Sequence, residues 1–214
     1  MQRRLTPEIL DSLGPDDPAA SHSRRDLRVI NLLMGNHRWF ARVLPGVLRA
    51  DDRILEIGAG SGELCRLLTR RGMATDGLDQ VPRPLVWPEG RAWHRADLRD
   101  YEGYKNHEAV LANLILHHFS DAELVKLGQK LRRGPRLILA CEPARRMRSQ
   151  ALFAAISPIF GANRVTRHDA NASISAGFLA DELPRILGLD CGPWKVSCEV
   201  TLVGAYRMAA VRQD

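Results

Sequence analysis

The stretch Glu56-Ile57-Gly58-Ala59-Gly60-Ser61-Gly62-Glu63-Leu64 leaves an apolar run and enters a helical pattern. Glycine is required where the backbone must turn tightly and a ligand must approach without meeting a Cβ. A helix start behind such a loop offers free N–H groups. Twenty-one positions after Gly58, Asp79 closes the next apolar run. At that spacing a carboxylate receives ribose hydroxyls in nucleotide-binding sheets. The glycines follow Gly-x-Gly-x-Gly, with Glu63 where a dinucleotide site has its third glycine, and no Gly-Lys-Ser/Thr follows. NAD and P-loop sites are therefore both disfavoured. Asp97-Leu98 follows a third short run, and Asn113-Leu114 closes a fourth with His117 and His118 just beyond. Open α/β sheets bind ligands at such strand ends. An imidazole with an ordinary pKa of about 6.5 could take a proton from a bound hydroxyl there. His117, nearer the strand end, is expected to face inwards, and His118 to hydrogen-bond to backbone or an acid. A buried, satisfied ring is the structural alternative for each.

These groups need a framework, and the chain supplies one. Residues 53–57 (RILEI), 75–79 (TDGLD), 91–96 (RAWHRA), 109–113 (AVLAN) and 136–142 (RLILACE) read as strands. Between them, residues 61–71 place Leu64, Leu67 and Leu68 on one helical face. In residues 120–133 a Ser120/Glu123 capping box precedes the stripe Leu124, Leu127, Leu131, and Gly134-Pro135 stops the helix. A helical stretch runs from Pro143 to about Ser157. Runs 195–200 and 202–211 suggest a hairpin that adds an antiparallel edge strand. Residues 80–90 hold Pro82, Pro84 and Pro88, which leaves a braced loop in place of a crossover helix. The alternation predicts an α/β fold: a doubly wound, mostly parallel seven-stranded sheet with a C-terminal antiparallel hairpin.

Residues 1–50 read as a helical lid on a domain of residues 51–214. Leu27, Ile30, Leu33 and Met34 form one stripe, and Trp39, Phe40, Val43 and Leu44 another, broken at Gly35-Asn36. Arg28, Asn31, His37 and Arg38 are polar groups beside these stripes, and Arg167-His168-Asp169 reads as a loop ion pair.

Composition bounds the function class. The 214 residues are 45% hydrophobic and 26% charged, with 17 Gly and 12 Pro, as in a globular domain with a modest extension. No apolar run reaches the roughly 18 residues of a membrane span. MQRRLTPEIL has no apolar stretch behind its charges, so a cytoplasmic protein without a secretory signal is expected. The four cysteines form no CxxC pair, which points to reduced thiols and no metal. The charge of +6, from 31 basic and 25 acidic residues, is too mild and evenly spread to demand nucleic acid. A monomer or homodimer is expected.

Taken together, the segments resemble the class I S-adenosylmethionine-dependent methyltransferases. ILEIGAGSGEL is similar to that family's first motif, GLDQ to its ribose-binding acid, RADLRD to its adenine segment, and AVLANLILHHFSDAEL to the fourth-strand motif of its small-molecule members. The resemblance spans about three quarters of the chain and rests on four motifs in order. It implies a Rossmann-like methyltransferase fold with S-adenosylmethionine as cofactor. Glu56, Gly58, Ala59, Gly60 and Gly62 would line its methionine part, Asp79 its ribose, Gln80 its ribose or adenine, and Asp97 and Leu98 its adenine. Asn113 and Leu114 would lie beside the sulfonium, and Arg28 over the carboxylate. DLRVINLLMGNHRWF and VTRHDANASISAGF are similar to segments of bacterial methyltransferases acting on quinones, phenols or polyketides. The implied activity is methyl transfer to a small-molecule acceptor, with His117 or His118 as base. Asn113-Leu-Ile-Leu stands where nucleic-acid amino-methyltransferases carry Asn/Asp-Pro-Pro-aromatic, and Cys141 precedes Glu-Pro where a Pro-Cys nucleophile is absent. The alternatives are an RNA methyltransferase and a non-catalytic cofactor-binding regulatory or assembly protein.

Overall fold

The computed structural model describes residues 1–14 and 16–213. Strands β1 (Ile54–Ile57), β2 (Thr75–Asp79), β3 (Trp93–Arg95), β4 (Ala109–Asn113) and β5 (Leu137–Pro143) run parallel. β6 (Trp194–Val200) and β7 (Ala205–Arg212) form the hairpin. The sheet order is β3-β2-β1-β4-β5-β7-β6, so the winding direction switches between β1 and β4. Ligands bind in such a crevice at the carboxyl ends of the strands.

The hairpin corrects one expectation. β7, the antiparallel strand, pairs with β5 inside the sheet, and β6 is the edge. The reason is composition: β7 buries Ala205, Tyr206, Met208 and Ala210, whereas β6 turns Lys195 and Glu199 to solvent. Charges on an exposed edge discourage further strand pairing.

Side chains alternate through the sheet. Val110 and Ala112 join Leu55, Ile57 and Ile138 in a core closed by α5 (Asp121–Leu131) and α8 (Glu182–Leu187). Leu111 joins Ile54 and Leu139 in a second core, closed by α3 (Asn36–Val43) and α4 (Glu63–Thr69). Burial on both faces accounts for the uninterrupted apolar run of β4. The capping box of α5 is present: Ser120 Oγ accepts the Glu123 N–H, and the Glu123 carboxylate accepts the Ser120 N–H. No helix joins β2 to β3; Trp87 and Trp93 pack edge to face there, with ring centroids 4.9 Å apart.

Above the strand ends lie α1 (Ile9–Ser12), α2 (Pro18–Met34), α6 (Met147–Ile156) and α7 (Arg164–Ala176). Asp17 caps α2, and Gly35 ends it in the left-handed conformation, at φ 67°. Trp39 and Phe40 of α3 are buried in the core beneath. α7 is a second correction, because the Arg167-His168-Asp169 segment was expected to be a loop. Its buried face mixes Val165 and Ile174 with the small or polar Thr166, Asp169, Ala172 and Ala176, which weakens the apolar stripe. Among the described residues, no helix is long and apolar enough to cross a membrane.

Candidate functional site

A cavity of about 560 Å³ opens where β1, β4 and β5 end. Glu56, Gly58, Ala59 and Gly60 form one wall, and Asn113 and Leu114 another. The α2 stripe Leu27, Ile30, Leu33 and Met34 faces this space, opposite Leu152, Phe153 and Ile156 of α6. His117, His118 and Asp169 also line it.

Gly58, Gly60 and Gly62 are all left-handed, at φ +65°, +51° and +71°. A Cβ on Gly58 would collide with Ile115, and one on Gly62 would lie 2.7 Å from Trp87. A Cβ on Gly60 would meet nothing within 4 Å. Gly58 and Gly62 are thus demanded by the protein's own packing, while Gly60 borders open space. Asp79 fastens the loop by accepting the Gly60 N–H at 2.8 Å and the Val81 N–H at 3.1 Å.

Of the other expected cofactor residues, Asp79, Gln80, Asp97 and Leu98 lie outside the cavity wall. Gln80 Nε2 donates to Asp97 at 3.0 Å, and Arg99 grips the same carboxylate at 2.6 Å. The Arg99 hydrogen bonds hold Asp97 below the usual carboxylate range. Leu98 is buried in the core. Asp79 is thus joined to the Gly60 end of the wall, while Gln80 and Asp97 pair with each other beside it.

Glu56 is 3% exposed and accepts from the Cys65 N–H at 3.0 Å and from its thiol at 2.8 Å. Burial pushes its pKa up to about 8. Asn113 belongs to a cluster of three asparagines: Asn36 Nδ2 donates to Asn113 Oδ1 at 3.0 Å, and Asn113 Nδ2 donates to Asn31 Oδ1 at 3.1 Å. The cluster pins α2 and the start of α3 to the end of β4. Leu114, next in chain, is a non-glycine residue at φ 56°. Strain of that kind gathers at functional sites. Arg28 and His37 line the cavity whereas Arg38 does not, and Arg28 lies 3.8 Å from Glu63.

The two histidines meet different partners. His117 is 3% exposed, with Nδ1 2.6 Å from Glu142 Oε2 and Nε2 3.7 Å from Glu8 Oε1. Buried Glu142 also accepts the N–H groups of Ile115, Leu116 and His117. Burial opposes a charge on His117, yet the two carboxylates overcome it and hold its pKa up at about 9. The ring expected to be a neutral base is therefore an imidazolium at pH 7. The His118 ring centroid lies 4.3 Å from that of His117, and Nδ1 is 3.9 Å from Asp11. Burial and the neighbouring His117 charge lower its pKa. That reverses the order expected for the pair: His118 is the neutral ring on the cavity.

Glu8 arrives on a strap, residues 1–12. The Ile9 and Leu10 N–H groups donate to Asp169 at 2.8 and 2.9 Å, and Ser173 donates to Glu8. Arg3 donates to the Phe119 and Ala176 carbonyls at 2.7 and 2.8 Å. Nothing local in the sequence marks Glu8. Glu142, an acid at the end of an apolar strand, was visible but unassigned. Among the described residues, two sets of side chains bring ligand atoms within 4.8 Å of one another: Glu8, His117 and His118, and Asp76, His94 and His107. Arg53 already pairs with Asp76 at 2.7 Å, and the His117 ring is already paired with Glu8 and Glu142. Neither set is read as a metal centre.

No family model matches this chain, nor does any curated protein. Solved structures do. A plantazolicin methyltransferase, in complex with a triazolic desmethyl analogue and SAH, superposes with TM-score 0.72 at 8% identity, over 96% of this chain and 93% of that one. The SAH-bound magnesium protoporphyrin IX methyltransferase of Synechocystis PCC 6803 gives 0.55 at 16%, over 95% and 91%. The pyocyanin biosynthetic protein gives 0.63 at 18%, over 92% of this chain and 59% of that one. At these identities the likeness is one of fold: the chain has the Rossmann-like fold of these methyltransferases.

Proposed function

We propose that this chain is an S-adenosylmethionine-dependent methyltransferase acting on a small-molecule acceptor of phenol, quinone or polyketide type. One observation carries the reading: a single cavity joins the open side of Gly60 to a neutral histidine, His118, along apolar walls. The sulfonium of the cofactor supplies an activated methyl, so the protein has to provide alignment and exclusion of water.

The residues fit that cofactor. Gly60 leaves room where a Cβ would stand, and the buried acid Glu56 suits the methionine ammonium. Arg28 lies over its carboxylate, Asp79 meets the ribose hydroxyls, Gln80, Asp97 and Leu98 flank the adenine, and Asn113 and Leu114 border the reacting methyl. Gly62 shapes the loop by admitting Trp87. The α2 and α6 side chains hold the apolar body of the acceptor, with residues 1–50 as lid and residues 51–214 as the cofactor-binding domain. His118 takes the acceptor's proton. Apolar walls favour a small molecule over RNA.

Thermal unfolding tests the reading. S-adenosylhomocysteine, the SAH of the similar structures, at 100-fold over its dissociation constant should add about 2.7 kcal/mol. In a chain of this size that raises Tm by roughly 5–10 °C. NADH should leave Tm unchanged. Asp79→Ala should weaken the sulfur ligand at least tenfold, because it loses charged hydrogen bonds of about 1.5–3 kcal/mol each. No shift with the sulfur ligand at millimolar concentration rejects the proposal. Phenols, quinones and polyketide-like compounds incubated with labelled cofactor, read by mass, then identify the acceptor.

A further inference from the structure

We propose that Glu8 is a positioning residue for methyl transfer: with Glu142 it clamps His117 from both ring nitrogens, and the clamped ring fixes His118 as the base at the acceptor. The proposal rests on the methyltransferase reading above and adds to it a residue that no motif marks.

The geometry is specific. Glu142 is immobilised by three backbone N–H donors and faces His117 Nδ1 at 2.6 Å. Glu8 faces Nε2 at 3.7 Å, and Ser173 of α7 orients its carboxylate. With both nitrogens engaged, His117 has none left for an acceptor. Its ring instead supports His118, 4.3 Å away, whose Nδ1 is turned to Asp11. Nε2 of His118 is then the nitrogen available to the cavity. The charged groups around His118 are His117 beside it, Glu8 and Asp11 from the strap and α1, and Glu142 from β5. From α7, Asp169 is spent on the Ile9 and Leu10 N–H groups.

Burial first, and then the positive charge on His117, keep His118 unprotonated at neutral pH, which is the state a base needs. The Glu8 carboxylate itself works the other way, so its service is to hold the ring pair in place. In the transfer, the acceptor oxygen forms the new bond to the methyl carbon and the bonding pair of the broken C–S bond stays on sulfur. The hydroxyl proton passes to His118. Glu8 touches none of these atoms; it acts through His117. Because Glu8 sits on the strap, the base is assembled only when residues 1–12 are docked on α7.

The test is a histidine-labelled NMR titration of the full chain from pH 5 to 10, comparing wild type with Glu8→Gln, Glu8→Asp and Ser173→Ala. In the wild type His117 should stay doubly protonated to about pH 9, and His118 should titrate below its ordinary value. Glu8→Gln should lower the His117 midpoint by a pH unit or more, Glu8→Asp should restore part of it, and Ser173→Ala should shift it less, in the same direction as Glu8→Gln. Once an acceptor is found, Glu8→Gln should cut kcat at least tenfold with KM for the cofactor unchanged, and equally at pH 7 and pH 8, since the loss comes from the position of His118 and not from its protonation. Both rings titrating near 6.5 in the wild type, or His117 unmoved in Glu8→Gln and Ser173→Ala, overturns the proposal. Saturable zinc binding that releases the His117 proton overturns it as well. Failure of the wild type to bind S-adenosylhomocysteine defeats the methyltransferase reading alone, since the titration reads the clamp without cofactor.

Discussion

A methyl group added at Gly58 would run into Ile115, whereas one added at Gly60 would project into the cavity. Both positions are left-handed, which costs a non-glycine residue about 1–2 kcal/mol. Gly60→Ala should therefore lose only that, roughly 2–8 °C in Tm, while binding of S-adenosylhomocysteine falls by more than tenfold. Gly58→Ala adds a collision and should lose clearly more Tm. Scanning fluorimetry with calorimetric titration separates the two. Glu56 supplies a pH signature. Its carboxyl keeps a proton up to about pH 8, and a ligand ammonium favours the ionised form. Ligand affinity should therefore rise from pH 6 to 8 by up to about tenfold per unit, with proton uptake by the buffer, and level off above 8. Glu56→Gln should give a flat profile.

Among the elements, α5 depends on its capping box, and Ser120→Ala should cost about 1 kcal/mol, or roughly 2–4 °C. Asn36→Ala, which removes two side-chain donations to Asn31 and Asn113, should cost about 1 kcal/mol, since Asn113 Oδ1 loses its donor while Asn31 Oδ1 keeps the one from Asn113. It should also loosen α2, visible as faster hydrogen exchange from residues 18 to 34. Elements bounded by local chemistry were legible in the sequence. β1 lies between Asp51-Asp52 and glycines, and α5 between its cap and Gly134-Pro135. α7 and α8 were not. The first interrupts Val165 and Ile174 on its core face with small and polar residues, and the second is a short helix containing Pro184, held where Gly128 lets the Leu187 backbone approach α5. The site divides the same way: the glycine loop, Asp79 and the histidine pair are local signals, while the partners of His117 come from opposite parts of the chain.

For the whole molecule, three buried groups set how stability follows pH. Burial disfavours ionised Asp76, but His107, the Ala92 N–H and Arg53 hold its pKa well below the usual 3.8, so its contribution is lost only as the medium turns strongly acid. His117, raised from 6.5 to about 9, contributes fully below pH 6.5 and loses that contribution as pH rises towards 9. Glu56, raised from 4.5 to about 8, likewise binds its proton more tightly when folded, so stability falls between those values as pH rises. On these three groups the ligand-free protein should be most stable near pH 4–5, between the ordinary values of Asp76 and Glu56, with Tm falling continuously as pH rises to 9. Glu56→Gln should flatten the decline. Thermal unfolding at four pH values decides it.

The wall of the cavity formed by α6 and α7 belongs to one excursion, residues 144–193, which leaves β5 and returns at β6. The glycine loop and Asp79 belong to β1 and β2, in the other half of the sheet. The two sides of the cavity are thus contributed by separate stretches of chain, which meet across the crevice. Side chains of α6 that face the cavity can change without touching the glycine loop, whereas α8 of the same excursion is bound to the core through Leu183 and Leu187.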